Sequence, residues 1–275
     1  MSVSPSPVPA SPSAVPGAPP APPKPAAAPL PPRTGQVIDR GTVRRESIHA
    51  ETWAIDGTAK VLGNVDVGQA DLRGFVTIVG ALSADRVLAR GELEVVGIVT
   101  TRGTLEVRGQ CRTFTDVDAT DAGFDGTVHI GGALRVTRLL QIRGQLAVVG
   151  SASAGFFQAD GRFEIRGTLR APRVQATIRG VSHIGTVEGG DVRFTLPVRP
   201  PILRSILESP TLDIDRIEAE TVHIEGVTVQ YLRADRIVVG RNCHVVRYDG
   251  TIDSCHPSSH LGPESRSPHP PGMSR

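Results

Sequence analysis

Residues 57–97 read GTAKVLGNVDVGQADLRGFVTIVGALSADRVLARGELEVVG, and this stretch decides the fold. Glycine recurs at Gly57, Gly74 and Gly91 and continues at Gly109, Gly126, Gly144 and Gly161, in steps of 17 or 18 residues. A second series trails the first by six: Gly63, Gly80, Gly97, then Gly132, Gly150 and Gly167, with Thr115 filling one place and Gly185 extending it. Between the two series, apolar residues stand two apart, as in Ala59/Val61, Val76/Ile78, Leu93/Val95, Val128/Ile130, Leu146/Val148 and Phe163/Ile165; Cys111/Thr113 is the weakest pair. A second pair follows (Val65/Val67, Leu82/Ala84, Val99/Thr101), then a looser third (Ala70/Leu72, Val87/Ala89, a single Leu139, Phe157/Ala159, Val174/Ala176).

Side chains two apart point to one side of a strand. Each unit therefore offers three short strands, and glycine supplies the sharp corners between them. One unit cannot bury its own apolar face, whereas stacked units can. The pattern predicts an all-β protein, a single-stranded β-helix (β-solenoid) of about ten triangular turns, rising roughly 4.8 Å per turn. A phosphate-binding loop would need one glycine cluster opening a helix, and no helical period follows any of these glycines.

Around this array the chain divides into segments. Residues 1–34 are nearly all Pro, Ala and Ser, which predicts a disordered, extended tail, read first as a plain spacer and second as a set of Pro-rich docking segments. Residues 35–187 form the main array. Residues 188–210 break the rhythm: Gly189-Gly190 and Pro197, Pro200 and Pro201 precede an apolar-faced segment with Ile202, Leu203, Ile206 and Leu207, and Pro210 follows. This predicts an insertion with a short helix over 202–209, packed on the solenoid or offered to a partner. From 211 to 252 the period tightens to 15 or 16 residues, through Ile217/Ala219, Val222/Ile224, Val227/Val229 and Leu232/Ala234. Leu82-Ser-Ala-Asp-Arg-Val, Leu169-Arg-Ala-Pro-Arg-Val and Leu232-Arg-Ala-Asp-Arg-Ile share one corner chemistry, so both arrays have the same architecture. Residues 253–275 read as a disordered polar tail.

With 30 basic and 28 acidic residues the net charge is +2, which gives no electrostatic case for nucleic acid. The 4% aromatic content suits a thin aliphatic core better than a base-stacking surface. Three unpatterned cysteines (Cys111, Cys243, Cys255) and the lack of a basic-then-apolar start predict a cytoplasmic setting. No catalytic, cofactor or metal site is expected. Cys255, His256 and His260 match no zinc spacing. His129 and His223 fall on outward positions, and Asp116, Asp118, Asp121 and Asp125 read as one looped acidic corner. The residues before the first-series glycines (Asp56, Arg73, Arg90, Arg108, Asp125, Arg143, Asp160) should stack into a charged column.

Here the chain resembles the bactofilins, bacterial polymer-forming cytoskeletal proteins. The likeness rests on the Gly-punctuated Ile/Val repeats behind a Pro-rich segment. It also rests on Gly155-Phe-Phe through Phe163-Glu-Ile-Arg-Gly-Thr-Leu-Arg-Ala, and on Leu232-Arg-Ala-Asp-Arg-Ile-Val-Val-Gly-Arg-Asn-Cys-His-Val-Val-Arg-Tyr. It implies a right-handed β-helix, in an array about twice the length of the compact family core. It also implies end-to-end, nucleotide-independent polymers and a scaffold that in this family often sits at the inner face of the membrane. Independently of the family, solenoid ends expose unpaired backbone and apolar side chains that must be capped or paired. The expected polymer interface is Ile48, Trp53 and Ile55 at one end and Val245, Val246 and Tyr248 at the other, with self as partner. A monomeric binding rod is the alternative. A hexapeptide-type acyltransferase fits less well, because it needs a strict six-residue step and the third step here is usually five. A polysaccharide lyase would need clustered carboxylates and aromatic platforms.

Overall fold

A computed structural model describes residues 33–197 and 210–264. The chain separates into two units, Met1–Pro32 and Arg33–Arg275. The Pro-rich segment up to Pro32 and the expected 202–209 helix lie outside the described residues, as do residues 265–275.

Among the described residues, fifteen strands in one parallel sheet wind into a β-solenoid of about 13 turns. In chain order they are β1 (Gln36–Arg45), β2 (Ile48–Val61), β3 (Val65–Ile78), β4 (Leu82–Val95), β5 (Val99–Thr113), β6 (Val117–Ile130), β7 (Leu134–Val136) and β8 (Leu139–Val148). There follow β9 (Ala152–Ser153), β10 (Phe156–Ile178), β11 (Val181–Thr195), β12 (Thr211–Ile224), β13 (Val227–Val239), β14 (His244–Cys255) and β15 (His260–Leu261).

The burial of β3 shows how one turn works. Val65 and Val67 point inward on one face (A), Ala70 and Leu72 on the next (B), Val76 and Ile78 on the third (C). The same positions stack turn on turn. On face A the column runs Ile48, Val65, Leu82, Val99, Val117, Leu134, Ala152, Leu169, Val187, Ile217, Leu232, Tyr248, each paired in register with the next. At about 4.8 Å per turn the stack rises roughly 60 Å.

The B-to-C corner explains the glycines. Gly74 has φ +105 and Gly91 φ +124, conformations that an L side chain resists. A Cβ on either would also lie inside the van der Waals shell of the carbonyl oxygen of the glycine one turn before, Gly57 or Gly74. Glycine is needed here for its backbone angle and for the closeness of successive turns.

Face B is more regular than its sequence signal. Its inward pairs include Trp53/Ile55, Leu105/Val107, Ala122/Phe124 and Leu140/Ile142, so Leu140 points into the core where Leu139 was expected. The face was obscured because the A-to-B corner takes an extra residue in places, with register shifts between Ala84 and Val87 and between Thr101 and Thr104.

Two boundaries move. β11 continues through the expected break, and Val192 and Phe194 form a buried face-B pair on Val174 and Ala176. Gly189 and Gly190 lie within this strand, at a close approach to the backbone of Ala171 and Pro172. The interruption therefore begins after Thr195 and leaves from the B-to-C corner. Stacking is intact across it: Ile184 pairs with Ile214 and Val187 with Ile217. Past residue 252, where a disordered tail was expected, β14 runs to Cys255, β15 pairs His260 and Leu261 with His244 and Val245, and Tyr248 bridges Glu264. These layers and β1 raise the number of turns above the expected ten. The tighter C-terminal period is present, with steps of 15 between β12 and β13 and 16 at the start of the β13–β14 pairing.

Candidate functional site: the two ends of the solenoid

The interior is filled by its own side chains. Phe157, Phe163 and Phe194 stack through the middle, with ring centroids 6.2 Å and 6.4 Å apart. Burial pushes the Cys111 thiol up to about 12, so it behaves as an inert small apolar group. The chemistry left to consider lies on the surface and at the ends.

At the N-terminal end β1 forms an extra layer on β2, with Val37 over Trp53, Asp39 over Ile55, Val43 over Ala59 and Arg45 over Val61. Trp53 and Ile55 are consequently buried one layer below the rim, not displayed on it, while Ile48, which β1 does not pair, is buried in the first face-A layer among the described residues. Half of the inward positions of the top layer are charged. Asp39 is buried and accepts two bonds from Arg45, Nη2 to Oδ1 at 2.6 Å and Nε to Oδ2 at 2.9 Å. Trp53 Nε1 donates to Asp39 Oδ2 at 3.2 Å. The Arg45 hydrogen bonds, aided by that of Trp53, hold the Asp39 carboxyl below its ordinary range against the opposing effect of burial. The sole tryptophan is thus covered by an ion pair that closes this end of the core. Arg33 reaches outside face A, bonding Asp66 Oδ1 and Asp85 Oδ2, the latter at 3.0 Å.

The C-terminal end is different. Val245 is buried beneath Leu261. Val246 and Tyr248 are half-buried, and Tyr248, Ile252 and Leu261 pack against the last core residues. The returning segment is held by Ser259, whose Oγ donates to Gly240 O at 2.6 Å and accepts from Cys243 N at 2.9 Å. The His244 and His260 rings stack at 5.2 Å. This rim is largely apolar, and the β14 segment 251–255 has no strand beyond it among the described residues.

The other sequence candidates resolve into surface structure. Asp116 and Asp118 bind Arg135, and Asp121 binds Arg138, each arginine from the following turn. The Arg135 and Arg138 contacts explain why the acidic corner is stable: the carboxyls of Asp116 and Asp121 are lowered, Asp116 first by the Ala133 N–H and Asp121 first by Arg138. Among the described residues no three His, Cys, Asp or Glu are placed to hold a metal ion. His256 turns to Ser258 and His260 to His244. The charged column is present, in the order Arg40, Asp56, Arg73, Arg90, Arg108, Asp125, Arg143, Asp160. Arg73 bonds Asp71, and Arg179 bonds Asp160.

No family model, curated protein or solved structure matches this chain. No helix among the described residues is long and apolar enough to cross a membrane. Sequence reasoning placed residues from 35 onward in the array but assigned no inward pairs to the β1 layer. Its signal was Gly41, sixteen residues before Gly57, with Asp39-Arg40-Gly41 echoing Ile55-Asp56-Gly57.

Proposed function

We propose that this protein is a non-enzymatic scaffold that assembles with copies of itself through the ends of its solenoid, in the manner of the bactofilins it resembles. The supporting observation is that, among the described residues, each end leaves a strand unpaired on one side: β1 at the N-terminal end, and the 251–255 segment of β14 beside Tyr248, Ile252 and Leu261 at the other. An open edge with apolar neighbours is a template for another chain. The proposed setting is the cytoplasm, where its three free thiols remain reduced. The interface expected from sequence is revised in this proposal to Val37 and Ile38 on the N-terminal rim and Tyr248, Ile252 and Leu261 on the C-terminal rim.

The Asp39–Arg45 pair favours a second reading, a monomeric binding rod, because a charged layer over Trp53 closes the core without a partner. Negative-stain electron microscopy of the purified full chain without nucleotide separates the two. Self-assembly predicts filaments that Tyr248→Asp or Leu261→Asp reduces to folded single particles. Single particles of the unaltered chain at tens of micromolar would leave only the monomeric rod.

A further inference from the structure

Outside the ends, the most unusual surface is the C-to-A corner. The residue after each face-C pair points outward there, and in six consecutive turns it is Leu62, Val79, Val96, Phe114, Gly131 and Val149. Backbone bonds tie these into one straight column, among them Val96 N to Ile78 O at 2.9 Å and Phe114 N to Val95 O at 3.2 Å. The side chains are exposed: Phe114 by 49%, Val149 by 43%, and Ile98 on the flank by 50%. The next column is mostly glycine (Gly63, Gly80, Gly97, Gly132, Gly150), so a neighbouring backbone can approach closely.

The stripe ends in opposite charges. In the turn before Leu62 the corner is one residue shorter, and Glu46 stands at this end of the stripe at the foot of the glycine column, its carbonyl accepting from Gly63 N at 2.6 Å as Gly63 O accepts from Gly80 N. One turn after Val149 it is held by Arg166, next to Ile165, which pairs with Val148. Both are exposed. From Glu46 to Arg166 this edge is therefore acidic at one end, apolar along the middle and basic at the other, over roughly 34 Å at the inter-strand rise.

We infer that this stripe is a side-by-side contact between two copies of the chain running antiparallel. A two-fold axis between Val96 and Phe114 places Glu46 of one copy against Arg166 of the other, Leu62 against Val149, Val79 against Gly131 and Val96 against Phe114. The flank agrees, since Glu94 meets Arg112 of the second copy across the same axis. A parallel arrangement would set Glu46 against Glu46 and Arg166 against Arg166, and like charges opposed at close range are unfavourable. The exposed side chains offer roughly 400 Å² of apolar surface, within the ~300–600 Å² of a functional patch. Doubled and with its polar flanks, the contact reaches about 1,000–1,200 Å², the lower end for a specific interface. A bilayer is a poorer fit, because Lys60 and Arg112 are offset by Glu94, Asp66 and Asp116 nearby, leaving no basic field for anionic lipid. The contact is independent of end-to-end assembly and goes beyond it.

Cysteine pairing tests both contact and direction. In full-length protein carrying Cys255→Ser, Leu62→Cys and Val149→Cys are introduced singly and together, and the protein is oxidised and run on a non-reducing gel. Within one chain the two positions are five turns apart, roughly 24 Å, too far for an internal bridge. The double variant is expected to give mostly covalent dimer, and each single variant mostly monomer. A dimer from Leu62→Cys alone would overturn the antiparallel arrangement. A folded double variant that stays monomeric would overturn the contact, as would slow maleimide labelling of Leu62→Cys in particles of monomer mass, which would mean that the chain covers its own stripe. Flotation of Leu62→Cys on phosphatidylcholine vesicles with the cysteine protected would also overturn it, in favour of a bilayer. Adding Tyr248→Asp removes end-to-end assembly from the readout, so failure of one reading is distinguishable from failure of the other.

Discussion

Asp39 accepts three hydrogen bonds from two side chains, and its removal leaves both stranded. Asp39→Ala takes the partner from Arg45 and from the buried Trp53 N–H, and an unmet buried donor costs about 1–3 kcal/mol. Trp53 is the only tryptophan, so its fluorescence during urea unfolding reports this end of the solenoid. The unfolding free energy should fall by that amount, lowering the urea midpoint, and the emission should shift to the red before the rest of the solenoid melts. The same pair makes the cap acid-sensitive. Because the folded Asp39 carboxyl is lowered, its stabilisation is complete above the unfolded value of about 3.9 and is lost as pH falls through the folded one. Asp39→Asn, less stable at pH 7, should lose less on going from pH 5 to pH 2, measured by the same fluorescence. Glycines separate by their setting. Gly91→Ala combines a positive φ with a backbone clash and should destabilise by more than about 2 kcal/mol. Gly123→Ala meets nothing nearer than the Glu106 side chain at 3.8 Å and should change stability by less than about 1 kcal/mol, both read by thermal denaturation.

Among the strands, β5 is the weak member, and the reason is chemical. Thr101 and Thr113 hold inward positions, exposed by only 3% and 2%, and their hydroxyls have no hydrogen-bond partner among the described residues. The void beside Thr113 and Cys111 is about 10 Å³, at the lower limit for a single water. Thr101→Val and Thr113→Val should each stabilise by about 1 kcal/mol, because removing an unmet polar group recovers its desolvation cost; urea denaturation followed by circular dichroism checks this. Phe163→Ala, in the aromatic stack, should cost about 3–5 kcal/mol in the same assay. The strands were legible wherever the period held. Faces A and C could be read from Val65/Val67 and Val76/Ile78 because their corners have constant length. Face B was harder, because Thr101-Arg-Gly-Thr104 lengthens a corner and shifts Leu105 and Val107 out of step. The inward pairs of β1 escaped for another reason. Two of its inward positions are Asp39 and Arg45, and a reading based on apolar alternation passes over a core position filled by an ion pair.

For the solenoid unit as a whole, parallel stacking follows from the repeat alone, and the full length and the ends do not. Each interior turn is specified twice, by the turn before and the turn after, whereas a terminal turn is specified once and is free to use unusual chemistry. That is why Trp53 and Val245 looked like rim residues in the sequence and are instead one layer inside. The corner after Thr195 shows how tolerant the interior is: the chain leaves between Phe194 and Leu212, and the turns above and below still meet in register. This makes it a natural splice point. A fluorescent protein inserted between residues 197 and 210, on linkers long enough to rejoin the corner, would travel with the solenoid while both rims and the Leu62–Val149 edge stay unobstructed.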